Sequence, residues 1–332
     1  MEDRPRKVLL LAGRLTRRDA APVPGLVERL QRRGLEVRVL CVSGGQILGT
    51  GLEVESCPEL VSPWRRFLAV RRLGLDEGPR RPELIWVLRP DLDVAALALA
   101  EHWQIPYLLM VDEFLPPGGR LRLSRSWCRG LVAMGPELAE DLARSLGVPR
   151  SWITVAPLGI PLPERRSMPP APASIPVIGA VSPLTSGSGL ATFLVAARGV
   201  LDAGLDAEFV LAGEGPGEAD LRRLAGRLGL VGRVTFAGTP DDGRPLYEVL
   251  DLFCQTSQVP CAGRSLATAM AHGIPVIAAD VEGLRRLVRD HETGRLVPPG
   301  DPAALSRAIL ELVSEPARAR DLGLRGREII RR

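Results

Sequence analysis

Short, continuous apolar runs recur along the chain, and stretches with helical spacing of apolar positions separate them. Lys7–Ala12 (KVLLLA) is apolar after its first residue and ends at Gly13, the pattern of a strand covered on both faces. Pro24–Arg33 (PGLVERLQRR) has helical spacing, and Gly34 behind it supplies a stop. Glu36–Val42 (EVRVLCV) reads as a second strand. Strand, helix and strand in so short a span form a βαβ unit, which builds parallel sheets. The pattern continues with a strand at Leu84–Leu88, a helix at Asp93–Trp103 that is apolar nearly all round, and a strand at Ile105–Val111 entered through Pro106. Gly130–Gly147 reads as strand, turn and helix, with Pro136 at the helix start and Gly147 at its end. Ile153–Gly159 is the last strand of this half.

PLPERRSMPPAPASIP follows, dense in proline and without apolar periodicity, as a semi-rigid linker would be. A strand at Pro176–Val181 then restarts the alternation. It continues with a strand at Phe209–Ala212, a helix from Glu218 to Gly229, a strand at Val234–Gly238 and a strand at Leu250–Gln255. Ser265 stands where the N-cap of the next helix (LATAMAH) is expected, Gly273 closes that helix, and the apolar run VIAA follows Pro275. The chain ends inside an Arg-rich helix. At 332 residues it suits two domains. The expected boundaries are 1–163 and 176–332, with the linker at 164–175.

Hydrophobic content of 45% supports real cores, built from aliphatic residues because aromatics make up only 4%. The net charge of +4 is mild, and Lys7 is the only lysine. The arginines are spread along amphipathic helices rather than clustered with aromatics, which argues against nucleic acid as a partner. Basic helices in the first half leave contact with an anionic membrane open, but the sequence singles none of them out. Cys41, Cys57, Cys128, Cys254 and Cys261 show no metal-ligand spacing. Their odd number and scatter suggest reduced thiols in a cytoplasmic protein, with Cys41 and Cys254 in the core. The charged opening MEDRPRK is unlike a signal peptide, and no apolar run approaches a membrane span.

The stretch Cys254–Gly283 carries the main candidate chemistry. A strand whose loop ends at a helix N-terminus makes an anion site, because the first-turn amides lack intrahelical partners and the dipole is positive there. This places a phosphate pocket at Ala262, Gly263, Arg264 and Ser265, with Arg264 adding a permanent forked cation. After the strand at 209–212, Gly213, Glu214 and Gly215 open a Gly-rich turn of the kind that approaches phosphates. The loop SPLTSGSG after the strand at 176–181 offers either an amide nest or a flexible turn. Asp112 and Glu113 follow a parallel strand at its C-terminal end, where such sheets place ligands, and are either catalytic carboxylates or a solvated pair. His102 stands alone and reads as structural.

The run AMAHGIPV resembles the signature of the retaining glycosyltransferases of family 4, which are glycogen-synthase-like. Ser257, Gly263, Ala269, Met270, Ala271, Gly273, Pro275 and Val276 match the motif. Gly159 with Ile160, the Gly-x-Gly-Pro turn, and GRLVPPGDPAAL (294–305) match further elements. The resemblance implies an α/β, GT-B-like fold of two Rossmann-like domains with parallel sheets facing a cleft. It implies a nucleotide-diphosphate sugar as donor, bound in the second domain without metal or other cofactor, with the base near Val234–Gly238. The sugar would pass with retention to a glycan, lipid or small-molecule acceptor. Gly213, Glu214, Gly215, Gly263, Arg264, Ser265 and Thr268 would contact the donor.

The chain departs from the pattern at chemical positions. Pro260 and Thr268 replace the two motif glutamates, Ala180 replaces a phosphate-binding arginine, and the partner lysine has no counterpart. Losing two charge-assisted phosphate contacts weakens binding by roughly 3 kcal/mol or more. The alternative is therefore a catalytically inactive relative acting as a binding or scaffold protein. The first loop lacks the family's Gly-Gly pair, and the closing helix that crosses back to the first domain in these enzymes is expected to be absent or short.

Overall fold

The computed structural model describes residues 7–14, 22–43, 54–72, 81–115, 119–156, 159–160, 162–163, 175–238 and 244–331. The chain divides into two compact units, residues 1–159 and 160–332. Most of the linker expected at 164–175 lies outside the described residues, as does 15–21 of the first loop.

In chain order the first unit contains β1 (Lys7–Arg14), α1 (Pro22–Gln31), β2 (Glu36–Ser43), β3 (Val54–Ser56), α2 (Arg66–Arg72), β4 (Leu84–Val87), α3 (Asp93–Trp103), β5 (Tyr107–Val111), β6 (Cys128–Ala133), α4 (Pro136–Leu146) and β7 (Ile153–Val155). Its parallel sheet has the order β3-β2-β1-β4-β5-β6-β7. Successive strand residues face opposite sides, and both sides are covered. Leu9, Leu11, Ile85 and Val87 pack with Leu99 and Leu142 on one face; Val8, Leu10, Val39 and Cys41 pack with Val23 and Val27 on the other. That double burial is why the strands read as unbroken apolar runs rather than alternating ones.

The second unit contains β8 (Val177–Val181), α5 (Leu190–Asp202), β9 (Glu208–Ala212), α6 (Glu218–Arg227), β10 (Val234–Phe236), α7 (Arg244–Val249), β11 (Leu252–Gln255), α8 (Arg264–His272), β12 (Val276–Ala279), α9 (Leu284–Leu287), β13 (Arg295–Val297), α10 (Pro302–Ser314) and α11 (Pro316–Arg331). Its parallel sheet has the order β10-β9-β8-β11-β12-β13. In both sheets the order reverses beside the unit's first strand, between β1 and β4 and between β8 and β11. An open α/β sheet offers a crevice at such a point, beyond the carboxyl ends of the strands.

The sequence pattern overlooked β3, α2, α7, α9 and β13, which are too short to display a period, and also α5 and α10, which run for thirteen residues each. α11 runs for sixteen residues and packs on α8 so closely that a Cβ at Gly323 would lie 2.2 Å from the Gly273 carbonyl oxygen. Arg327 donates from α11 to the carbonyls of Ala271 (2.5 Å) and Pro163 (2.7 Å). Cys41, Cys57, Cys128 and Cys254 are buried thiols, and burial pushes the Cys41, Cys128 and Cys254 thiols up from their ordinary value.

Candidate functional site

Three loops meet at the carboxyl edge of the second sheet, held together by backbone contacts that only glycine permits. The loop after β8 forms a tight turn at Ser186–Ser188, where the Ser188 hydroxyl donates to the Thr185 carbonyl (2.6 Å). The loop after β11 reaches over to it: the Thr256 hydroxyl donates to the Ser188 carbonyl (3.1 Å), and the Gln258 N–H donates to the Gly187 carbonyl (3.0 Å). Between them Gly189 takes a left-handed conformation (φ 70°), and a Cβ there would lie 1.7 Å from the Thr256 carbonyl oxygen. The Gly-Ser loop is therefore a fixed element and not a loose turn. The loop after β9 joins through Leu184, whose N–H donates to the Glu214 carbonyl (3.0 Å) and whose carbonyl accepts from Gly217 (2.8 Å). Gly213 and Gly215 stand with φ of 145° and 158°, pressed against the Ser182 and Leu184 backbone.

α8 starts at this edge. Its N-cap is Gly263 and not the expected Ser265: Gly263 is left-handed (φ 69°), makes no side-chain cap bond, and precedes Arg264 as the first helical residue. The αL conformation brings the chain onto α9, where a Cβ at Gly263 would crowd Leu284 and Leu287 at 2.8 and 2.7 Å. The first bond of the helix runs from the Ala267 N–H to the Gly263 carbonyl (2.8 Å), so the preceding amides have no intrahelical partner. Ser265 is buried inside the first turn, and Arg264 is half-buried at its mouth.

The substituted motif positions behave differently from one another. Thr268 is half-buried one turn into α8, and its hydroxyl donates back to the Arg264 carbonyl (2.9 Å), so its proton is engaged by the helix itself. Pro260 is exposed. Ala180 lies inside β8, paired with Leu211 and buried in the core. Glu214 is exposed, and its backbone carbonyl makes the loop contact. Near the expected base site, Phe236 carries the Arg222 guanidinium 4.4 Å above its ring, and the Gly238 carbonyl accepts from Gly213 (2.6 Å).

One group at this edge escaped the sequence analysis. Gln255 ends β11 with its side chain buried; its amide nitrogen donates to the Ser257 hydroxyl (3.1 Å), while its Oε1 is buried with no partner among the described residues. Ser182, Ser188, Thr256 and Ser257 are also buried at the sheet edge. The sign in the sequence is the polar run QTS directly behind the apolar LFC.

In the first unit, Asp112 and Glu113 follow β5 directly, half-buried and exposed respectively. At the reversal between β1 and β4, Arg89 faces Asp91 at 3.6 Å, and a Cβ at Gly13 would lie 3.1 Å from the Arg89 side chain. Asp93 is structural: its two oxygens accept the Val94 and Arg122 amides at 2.6 and 2.7 Å. The His102 ring lies tilted against Phe67, with centroids 4.9 Å apart. Among the described residues, no three His, Cys, Asp or Glu side chains cluster in a way that could hold a metal ion, and no helix is long and apolar enough to cross a membrane.

Residues 175–315, the sheet edge included, match the family model described as Glycosyl transferases group 1. Among curated proteins, the lipopolysaccharide core biosynthesis glycosyltransferase LpsE of Rhizobium meliloti is 36% identical over 36% of this chain and 35% of its own. The phosphatidyl-myo-inositol mannosyltransferase of Mycobacterium leprae is 35% identical over 43% of this chain and 38% of its own. The 2-deoxystreptamine glucosyltransferase of Streptomyces kanamyceticus is 30% identical over 57% and 52%. The matches thus span about a third to a half of these relatives. Among solved structures, Anabaena HepE in complex with UDP and glucose superposes with a TM-score of 0.80 at 19% identity, covering 98% of this chain and 94% of that one. Sucrose-phosphate synthase from Thermosynechococcus elongatus gives 0.76 at 20% identity, with coverage of 98% and 94%. At such identity the likeness shows the fold, and with the two parallel sheets it establishes a GT-B-like, Rossmann-type architecture for this chain.

Proposed function

We propose that the chain is a glycosyltransferase of the retaining, GT-B type that takes its sugar from a nucleotide-diphosphate donor held at the edge of the second sheet. The observation that carries this reading is the convergence of the β8, β9 and β11 loops on the N-terminus of α8, within the segment that matches the glycosyltransferase model. Breaking the bond between the sugar and the β-phosphate leaves negative charge on the departing diphosphate oxygen. A helix N-terminus and the Arg264 guanidinium favour that charge where it develops. In this chain backbone amides and one cation take over the work that the missing arginine and lysine would share. Thr268 keeps acceptor lone pairs for a ribose hydroxyl, and the buried Gln255 Oε1 offers a further acceptor. Asp112 and Glu113 are the proposed carboxylates on the acceptor side of the reaction. The acceptor is a glycan, a lipid or a small molecule.

A second reading, a catalytically inactive relative acting as a binding or scaffold protein, is supported by the exposed Pro260 and the engaged Thr268 hydroxyl at the two glutamate positions. A thermal-shift panel of UDP, GDP and ADP with their sugars separates the outcomes. One nucleotide should raise the melting temperature, by the equivalent of about 2.7 kcal/mol at a hundredfold excess over its dissociation constant. Silence across the whole panel removes the transferase reading and leaves a scaffold of this fold with another role. A shift without release of nucleoside diphosphate in the presence of acceptors selects the binding protein.

A further inference from the structure

We propose that the face of the first unit formed by Val61, Trp64, Leu68 and Val94, with Arg65 and Arg71 beside it, docks the protein on an anionic lipid surface. Trp64 is 88% exposed, the most exposed large apolar side chain among the described residues, and Leu68 (68%) and Val61 (57%) follow it on the same short stretch. Positions 61, 64, 68 and 71 are spaced three and four apart, which puts them on one side of the turn and helix.

The buried Arg66 fixes this face in place. Its guanidinium donates to the Leu60 carbonyl and to the Val94 carbonyl, both at 3.1 Å, tying the turn before α2 to the first turn of α3. Phe67 anchors the other side of α2 through its ring contact with His102. The apolar side chains are thus displayed on a braced surface. α3 follows β4, so its first turn stands at the carboxyl rim of the first sheet, the rim that also carries Asp112 and Glu113.

The charge pattern selects the occupant. Leu60–Leu75 holds four of the chain's 43 basic residues and none of its 39 acids, which leaves the remainder balanced at 39 of each. The stretch that exposes Trp64 is therefore locally cationic, with four arginines and no acid. Arg65 and Arg71 are exposed, and neither is paired with another described residue. A two-fold dimer through this patch would bring arginines of one copy against those of the other. A bilayer with anionic headgroups accepts the arginines at the phosphate level and seats Trp64 and Leu68 at the acyl boundary, where tryptophan and aliphatic side chains partition. The inference is independent of sugar transfer, and its test reads binding alone.

The test is flotation of the full chain with vesicles of phosphatidylcholine alone and with vesicles containing about three parts in ten phosphatidylglycerol. The wild-type protein is expected to float with the anionic vesicles, to stay behind with the neutral ones, and to be released by salt. Trp64→Ala with Leu68→Ala should weaken the anionic partition at least about tenfold. Arg65→Gln with Arg71→Gln should remove the difference between the two vesicle types. Thermal unfolding of each variant without lipid serves as the fold control, since all four side chains are exposed. Unchanged flotation of both double variants overturns the proposal, as does no flotation of the wild type. A wild-type dimer in sedimentation that Trp64→Ala dissolves also overturns it, by making the patch an interface between copies.

Discussion

Gly189 shows how much one hydrogen atom in place of a side chain decides at this site. Its left-handed backbone and its approach to the Thr256 carbonyl let the β8 and β11 loops share hydrogen bonds. Gly189→Ala adds about 1–2 kcal/mol of conformational cost for the left-handed state, and the clash with backbone comes on top. The variant should lose at least about 2 kcal/mol in urea melts. A loss within about 0.5 kcal/mol would mean that the loop contact carries no load. Asp251 makes a different residue-scale prediction. It lies next to β11 and accepts the Val177 N–H of β8 (2.8 Å), and burial raises its carboxyl pKa while that bond partly lowers it. The folded chain then holds this proton more tightly than the unfolded chain, so the contribution of Asp251 to stability is greatest at low pH. It falls as pH rises from about 4 through the raised folded value, then levels. Asp251→Asn keeps an oxygen acceptor for Val177 and removes the titration. Urea melts from about pH 3.5 to about 7 should show the variant gaining on the wild type through that window, with a constant difference above it.

At the scale of elements, α8 concentrates both the legible and the illegible parts of the site. Its existence, its glycine stop at Gly273 and its place after a buried strand all follow from apolar spacing and breakers in the sequence. Its start did not follow: a serine was expected to cap it, yet a left-handed glycine does, because the chain must turn tightly above Leu284 and Leu287. That demand comes from α9, which is only four residues long and shows no period of its own. The buried Gln255 was hidden for a related reason. A polar residue at the end of an apolar run looks like a strand terminus until the loop from β8 closes over it. The parallel sheets themselves were readable, since double burial writes continuous apolar strings into the sequence. If α8 receives a diphosphate, Arg264→Gln should weaken the nucleotide that shifts the melting temperature by roughly tenfold in calorimetric titration. The dependence of affinity on salt should flatten as the cation is lost. An unchanged affinity would place the anion elsewhere.

At the scale of the whole molecule, each unit carries its own core and its own kind of recognition. Among the described residues, the second unit has two apolar clusters of its own, one around Phe193 and Phe209 and one around Phe253 and Met270. The candidate donor loops, the α8 start and Gln255 belong to the same unit, whereas the Trp64 face and the Asp112–Glu113 pair belong to the other. Nucleotide binding should therefore be separable from surface docking. Residues 160–332 produced alone should unfold in one cooperative transition and retain the nucleotide preference of the full chain, with a dissociation constant within about tenfold of it. They should not float with anionic vesicles. Cooperative unfolding with binding lost would show that the first unit completes the nucleotide site. Binding retained together with flotation would move lipid recognition away from Trp64. The first unit would then keep only the acceptor side of the chemistry, and the basic stretch around α2 would need another partner.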